Sequence, residues 1–204
     1  MTWLYGVVSR QNPRRPTIIN LSLGGEYSDT MNQYVQTMAE IGILVVTASG
    51  NSNSDACLES PASAALAISV ASSGRTDEFS SFSNWGACVD VIAPGENILS
   101  ASYTGEGALI KSGTSQACPL VAGLAAIFWE SSLRNGTNVT IQQLAETMKN
   151  NVNTNLITNT PEGTVNSLAH ASACSQPRVN SAVRMPMSVG LFVAAALVSV
   201  ALLA

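Results

Sequence analysis

The sequence predicts an α/β fold built on a buried, mostly parallel sheet, and three observations carry that prediction. Thr17–Leu23 (TIINLSL) and Ile43–Thr47 (ILVVT) are short, apolar, β-branched runs. Between them, Asp29–Ile41 sets Met31, Tyr34, Val35, Met38 and Ile41 on one helical face. Ala117–Trp129 is a thirteen-residue run without a charge, of helical length and too short to span a bilayer. Apolar strand, helix, apolar strand is a βαβ unit. Its crossover makes the strands parallel, and strands without polar alternation are covered on both faces.

Each element has its own signals. The first strand is closed by Gly24-Gly25 and the second by Ser49-Gly50-Asn51. Leu66–Ala71 (LAISVA) and Val89–Ile92 (VDVI) are further strands, the latter ended by Ala93-Pro94-Gly95. The helix over Ala117–Trp129 is predicted to be buried on all sides. Ser115 sits at its start, with Gly113-Thr114 and the early Pro119 as start signals. Ile141–Asn150 reads as a surface helix with Thr140 as its N-cap. Asn150–Pro161 reads as a polar loop, and no internal repeat is present.

Composition narrows the functional classes. The 204 residues suit one domain or part of a larger one. A net charge of −4 and a pI near 4.9 exclude nucleic acid as a partner, since nothing basic gathers to neutralise phosphates. Only 11% of residues are charged while 46% are hydrophobic, the opposite of a disordered chain. The cysteines, Cys57, Cys88, Cys118 and Cys174, form no CxxC pair, and His170 is the single histidine, which argues against structural zinc. Four cysteines allow three full pairings in an oxidising compartment, and free buried thiols are the alternative. Sequons at Asn135 and Asn138 fall in a polar turn, whereas Asn20-Leu21-Ser22 lies inside an apolar run. The N-terminus lacks the layout of a secretory signal, because its short apolar part precedes its positive charges. Residues 188–204 carry no charge and would be about 25 Å long as a helix, at the short limit for a bilayer. Small residues and a polar stretch precede them. This tail reads as a lipid-anchor attachment signal, with a retained membrane helix and a buried core helix as alternatives.

The chemistry concentrates at Ser112-Gly113-Thr114-Ser115. A serine at the start of a helix has the positive end of the dipole behind it and an unpaired N–H of its own, so a developing oxyanion beside it would be stabilised. An ordinary N-cap fits the same residues. The run from Ser112 to Gly123 (SGTSQACPLVAG) resembles the nucleophile motif of the subtilisin-like serine proteases. Five more blocks resemble that family in the same order: INLSLGG from Ile19, ASGN from Ala48, SPA from Ser60, FSNWG from Phe82 and VDVIAPG from Val89. The similarity covers about residues 15–168 and ends at Gly163-Thr164-Val165-Asn166.

The resemblance implies a three-layer αβα subtilisin-like fold with a mostly parallel central sheet, truncated at its N-terminal side and followed by a C-terminal hydrophobic helix. Residues 1–168 would be the C-terminal part of a peptidase domain, 169–187 a polar stalk, and 188–204 the hydrophobic tail. Ser115 would be the nucleophile, and the Asn51 amide would donate to the oxyanion beside the Ser115 N–H. In subtilisin itself, loss of that asparagine costs roughly 10²–10³-fold in turnover. Ser22, Leu23 and Gly24 would hydrogen-bond an extended substrate as an added strand. With Ala48, Ser49 and Gly50 they would wall the pocket for the residue before the cut, and small side chains there suggest a tolerant pocket. Secreted proteinase K-like members imply a Cys57–Cys88 disulfide. Cys118 takes a position that is usually Thr and reads as a buried thiol, and Cys174 has no evident partner. No cofactor is required. Asp90 resembles a structural calcium ligand, together with carbonyls near Ala65 and Ala67; a solvated or capping aspartate is the alternative.

The chain departs from the family pattern in its acid–base half. The family's order is Asp, His, Ser, yet no Asp or His precedes Ser22, and His170 follows Ser115 where the family has no catalytic residue. His170 therefore reads as a surface histidine. Strands of the sheet and one wall of the cleft are expected to be missing with the absent segments. The chain is expected to be the C-terminal part of a longer secreted protease and inactive by itself, with TWLYGVV the remnant of a preceding helix. The alternative is a membrane-tethered, non-catalytic pseudoprotease or binding module; Gln116 and Leu120 replace the usual Met and His of the motif. The implied partners are a polypeptide substrate in the full-length form and a membrane through the tail, at an extracellular or cell-surface location.

Overall fold

The structure, a computed structural model, describes residues 16–171 except 103, 104 and 106, together with residues 6 and 10. In chain order the strands are β1 (Thr17–Leu21), β2 (Gly25–Glu26), β3 (Ile43–Ala48), β4 (Glu59–Ser60), β5 (Ala67–Ser73), β6 (Val91–Pro94), β7 (Ile98–Ala101), β8 (Ala108–Lys111), β9 (Val152–Thr154) and β10 (Ser167–Ala169). The helices are α1 (Asp29–Glu40), α2 (Thr114–Arg134) and α3 (Ile141–Asn150).

Six strands form the central sheet in the order β1-β3-β5-β6-β10-β9. All neighbours are parallel except β10 and β9. Every residue of β3 and β5 is buried, as both-face coverage requires. Alternation along β3 sorts its side chains between two layers. Ile43 and Val45 pack with Val35 and Met38 of α1 on one face. Leu44, Val46 and Ala48 pack on the other with Val121, Ala125 and Phe128 of α2 and with Leu144 and Met148 of α3. The result is the three-layer αβα arrangement the sequence predicts.

Local chemistry explains the helix ends. The Ser28 hydroxyl accepts from the Met31 N–H and starts α1. Thr140 and Gln143 form a reciprocal capping box at α3.

Two expectations are corrected. α2 is longer than the uncharged run and is not buried all round: Leu120 is 45% and Ile127 44% exposed. Uncharged residues on its outer face, Leu120, Gly123 and Ile127, hide the amphipathic pattern. The stretch after Asn150 is not all loop, because β9 pairs antiparallel with β10; β9 is too short and polar (VNT) to stand out. The hairpin β7–β8 and the pair β2–β4 lie outside the main sheet. Among the described residues no helix is long and apolar enough to cross a membrane. The stretch TWLYGVV, Cys174 and the tail 188–204 lie outside the described residues, apart from Gly6.

Candidate active site

The start of α2 meets the ends of β1 and β3 at one groove. Gly113 is the N-cap of α2, and Thr114 and Ser115 begin the helix. The Thr114 N–H donates to Asn51 Oδ1 at 2.8 Å and the Gln116 N–H to the Gly113 carbonyl at 3.0 Å. The Ser115 N–H thus has no acceptor among the described residues and stands at the positive end of the helix. The Thr114 hydroxyl also donates to Asn51 Oδ1, at 3.0 Å. With its oxygen so held, the Asn51 amide presents Nδ2 as the free donor beside Ser115. Gly113 receives the Gly95 carbonyl on its N–H at 2.9 Å, which seats the helix start on the end of β6.

The loop carrying Asn51 is clamped by a buried residue to which the sequence assigned no role. Asn84 Oδ1 accepts from the Ser52 and Ser54 N–H groups at 2.9 and 3.1 Å, and its Nδ2 donates to the Ser49 carbonyl at 3.0 Å. The Gly50 carbonyl accepts from the Asn84 N–H at 3.0 Å. Gly50 has φ +109°, and a Cβ there would collide with the Asn84 amide and the Glu59 carboxylate. The signal that could have found Asn84 is an amide between the two aromatic residues Phe82 and Trp85 of the FSNWG block.

A groove of about 550 Å³ opens beside these groups, lined by Leu23, Gly24, Ala48, Gly50, Asn51 and Ser115 among others. Ser22 and Ser49 do not line it. Ser22 and Ser115 are tied reciprocally: the Ser115 hydroxyl donates to the Ser22 carbonyl at 3.2 Å, and the Ser22 hydroxyl to the Ser115 carbonyl at 3.0 Å. Ser49 is fully buried beneath the groove. Two residues the motifs did not single out, Glu26 and Glu59, are the charged side chains in the lining.

Chemically, the groove offers a hydroxyl and two converging N–H donors. Among the described residues the partner of that hydroxyl is the Ser22 carbonyl, and a backbone carbonyl cannot take up its proton at neutral pH. His170 is half-buried and follows β10, four strands from β1, a lateral separation of about 19 Å at ~4.8 Å per strand. Burial pushes the Cys118 thiol up to about 12, against hydrogen bonds from Ser22 and Leu21 that favour the thiolate, so it stays protonated and is no nucleophile.

Cys57 and Cys88 form a disulfide that anchors the segment next to Leu58 and Glu59 in the groove wall. Asn135 and Asn138 are exposed in the turn between α2 and α3. Both oxygens of Asp90 are engaged: Oδ2 accepts from the Ser69 N–H at 2.8 Å, and Oδ1 pairs with Lys149 Nζ at 2.7 Å. Among the described residues no three metal-ligating side chains come together.

Comparison with known proteins places these features in context. The model of the subtilase family (peptidase S8) matches residues 1–169. Alkaline serine exoprotease A of Vibrio alginolyticus is 42% identical over 160 residues, 78% of this chain and 29% of that protein. Subtilisin-like protease 3 of Pseudogymnoascus destructans is 40% identical over 171 residues, 83% of this chain and 42% of that protein. The crystal structure of a cold-adapted subtilisin-like serine proteinase superposes with a TM-score of 0.72 at 40% identity, over 76% of this chain and 55% of that one. The chain thus spans less than half the length of these two curated relatives.

Proposed function

The chain belongs to the subtilase family, and from that premise we propose that it is the nucleophile-bearing part of a serine-type endopeptidase acting through an acyl-enzyme on Ser115. The observation that carries this reading is the start of α2. There the Ser115 hydroxyl, the Ser115 N–H and an Asn51 amide fixed by Thr114 share one groove. An extended peptide lies along Leu23 and Gly24 as an added strand. Ser115 Oγ bonds to the scissile carbonyl carbon, and the carbonyl oxygen becomes an oxyanion held by Asn51 Nδ2 and the Ser115 N–H. Collapse of the intermediate breaks the C–N bond and leaves an acyl ester, which water then hydrolyses. Both stages need a base to take and return a proton, and among the described residues the Ser115 hydroxyl donates to the Ser22 carbonyl. The chain alone therefore has no peptidase turnover. The same hydrogen bond favours a second reading, a groove that binds peptides without cutting them.

The disulfide and the two exposed sequons support an extracellular location. Anchoring through residues 188–204 belongs to the same proposal, and release from cells by a phospholipase specific for glycolipid anchors tests it. Calcium at Asp90 would have to displace Lys149.

A peptide boronic acid tests the central reading. Its boron bonds to the serine oxygen, the hydroxyl proton passing to solvent, and the resulting tetrahedral anion mimics the oxyanion. Boron NMR should show the tetrahedral adduct with the intact chain, its loss in Ser115→Ala, and at least about tenfold weaker binding in Asn51→Leu. An adduct unchanged in Ser115→Ala sinks the nucleophile assignment. Peptide hydrolysis by this chain that Ser115→Ala abolishes overturns the inactivity.

A further inference from the structure

The pair β2–β4 sets Glu26 directly opposite Glu59 in antiparallel register. Like charges on facing cross-strand positions repel and destabilise the pair. Both side chains line the groove, and no Lys, Arg or His does. Among the described residues neither carboxylate makes a hydrogen bond or an ion pair. Glu59 lies deeper: its Oε2 occupies the place a Cβ on Gly50 would take and lies 3.5 Å from where one on Gly24 would stand. The carboxylate thus sits between the two glycine walls of the pocket. Its backbone is fixed, since Cys57 two residues earlier is in the disulfide and the Ser63 N–H donates to the Glu59 carbonyl at 2.9 Å.

We infer that Glu59, seconded by Glu26, makes the pocket selective for a lysine or arginine immediately before the cut. The cation relieves the cross-strand repulsion, and an arginine fork matches a carboxylate with two N–H donors. Small wall residues alone predict tolerance; a carboxylate between them replaces tolerance with selection by charge. A divalent cation fits less well, because hard ions take six or more oxygens and, among the described residues, the groove lining supplies two carboxylates. The inference rests on the reading of the groove as a peptide site, and its test separates the two.

Fluorescein-labelled tetrapeptide amides of sequence Ala-Ala-Pro-Xaa, with Xaa arginine, phenylalanine or glutamate, are titrated with the full chain and followed by anisotropy. The arginine peptide should bind about tenfold or more tighter than the phenylalanine peptide, with the glutamate peptide weakest. Glu59→Gln should erase the arginine preference, with an unchanged circular dichroism spectrum. Glu26→Gln, at an exposed position, provides a second reading and should reduce the preference by less. Equal binding of arginine and phenylalanine peptides overturns the role of Glu59 and leaves the groove reading standing. Binding of no peptide overturns both. Calorimetric binding of calcium chloride that Glu59→Gln abolishes, without any peptide preference, makes the pair a metal site and overturns the inference.

Discussion

Thr114 holds the asparagine of the oxyanion side with two groups at once. Its N–H and its hydroxyl both donate to Asn51 Oδ1, and the hydroxyl accepts in turn from the Gly50 N–H at 3.3 Å. A flipped Asn51 would set donor against donor, so the network fixes which end of the amide faces the groove. Thr114 is fully buried, and Thr114→Val keeps its shape while removing the hydroxyl. That variant should lose about 1–2 kcal/mol of stability in urea unfolding. It should also weaken boronate binding, and Thr114→Ser should restore most of both. Full boronate affinity in Thr114→Val would mean that the backbone N–H alone orients the amide. Sequence motifs point to Ser115 and Asn51 because both stand in recognisable runs. Thr114 stands in the same run, yet its role depends on a partner 63 residues away.

At the scale of elements, the Cys57–Cys88 crosslink ties the groove wall to the segment that enters β6. A sequence separation of 31 gives about 3–4 kcal/mol on the chain-entropy account. Reduction, or the double change Cys57→Ala and Cys88→Ala, should lower the thermal midpoint accordingly and weaken peptide binding through Leu58 and Glu59. A loss below about 1 kcal/mol would show that the Asn84 network holds this wall without the crosslink. The elements legible in the sequence are those with a strong local pattern: the apolar runs of β1, β3 and β5, the helical face of α1 and the Thr140 cap. The pairs β2–β4 and β7–β8 escaped notice. Strands of two to four residues, all but Ser60 exposed or half-buried, carry no period, and they become strands only because a partner lies alongside.

Over the whole molecule, β1 pairs only with β3 among the described residues and stands at the edge of the sheet. A sheet edge is a surface on which another chain can add a strand. The β7–β8 hairpin adds exposed apolar surface, with Leu99 68% and Ile110 64% exposed on facing positions. With only 11% charged residues, long-range repulsion between copies is weak. The chain should therefore self-associate. Sedimentation velocity over a dilution series should show mass rising with concentration, and a monomer at all concentrations would refute this.

The sequence by itself determined the βαβ core, because burial on both faces leaves apolar runs that local composition records. It also singled out Ser115 and Asn51, because each stands in a contiguous motif. Only the tertiary structure decided that Thr114 orients Asn51, that Lys149 neutralises Asp90, and that Glu26 faces Glu59 in the β2–β4 register. The reason is geometric. Periodicity tells which way a side chain points within its own element, whereas charge pairing and donor matching depend on the register between segments far apart in the chain, which packing alone sets.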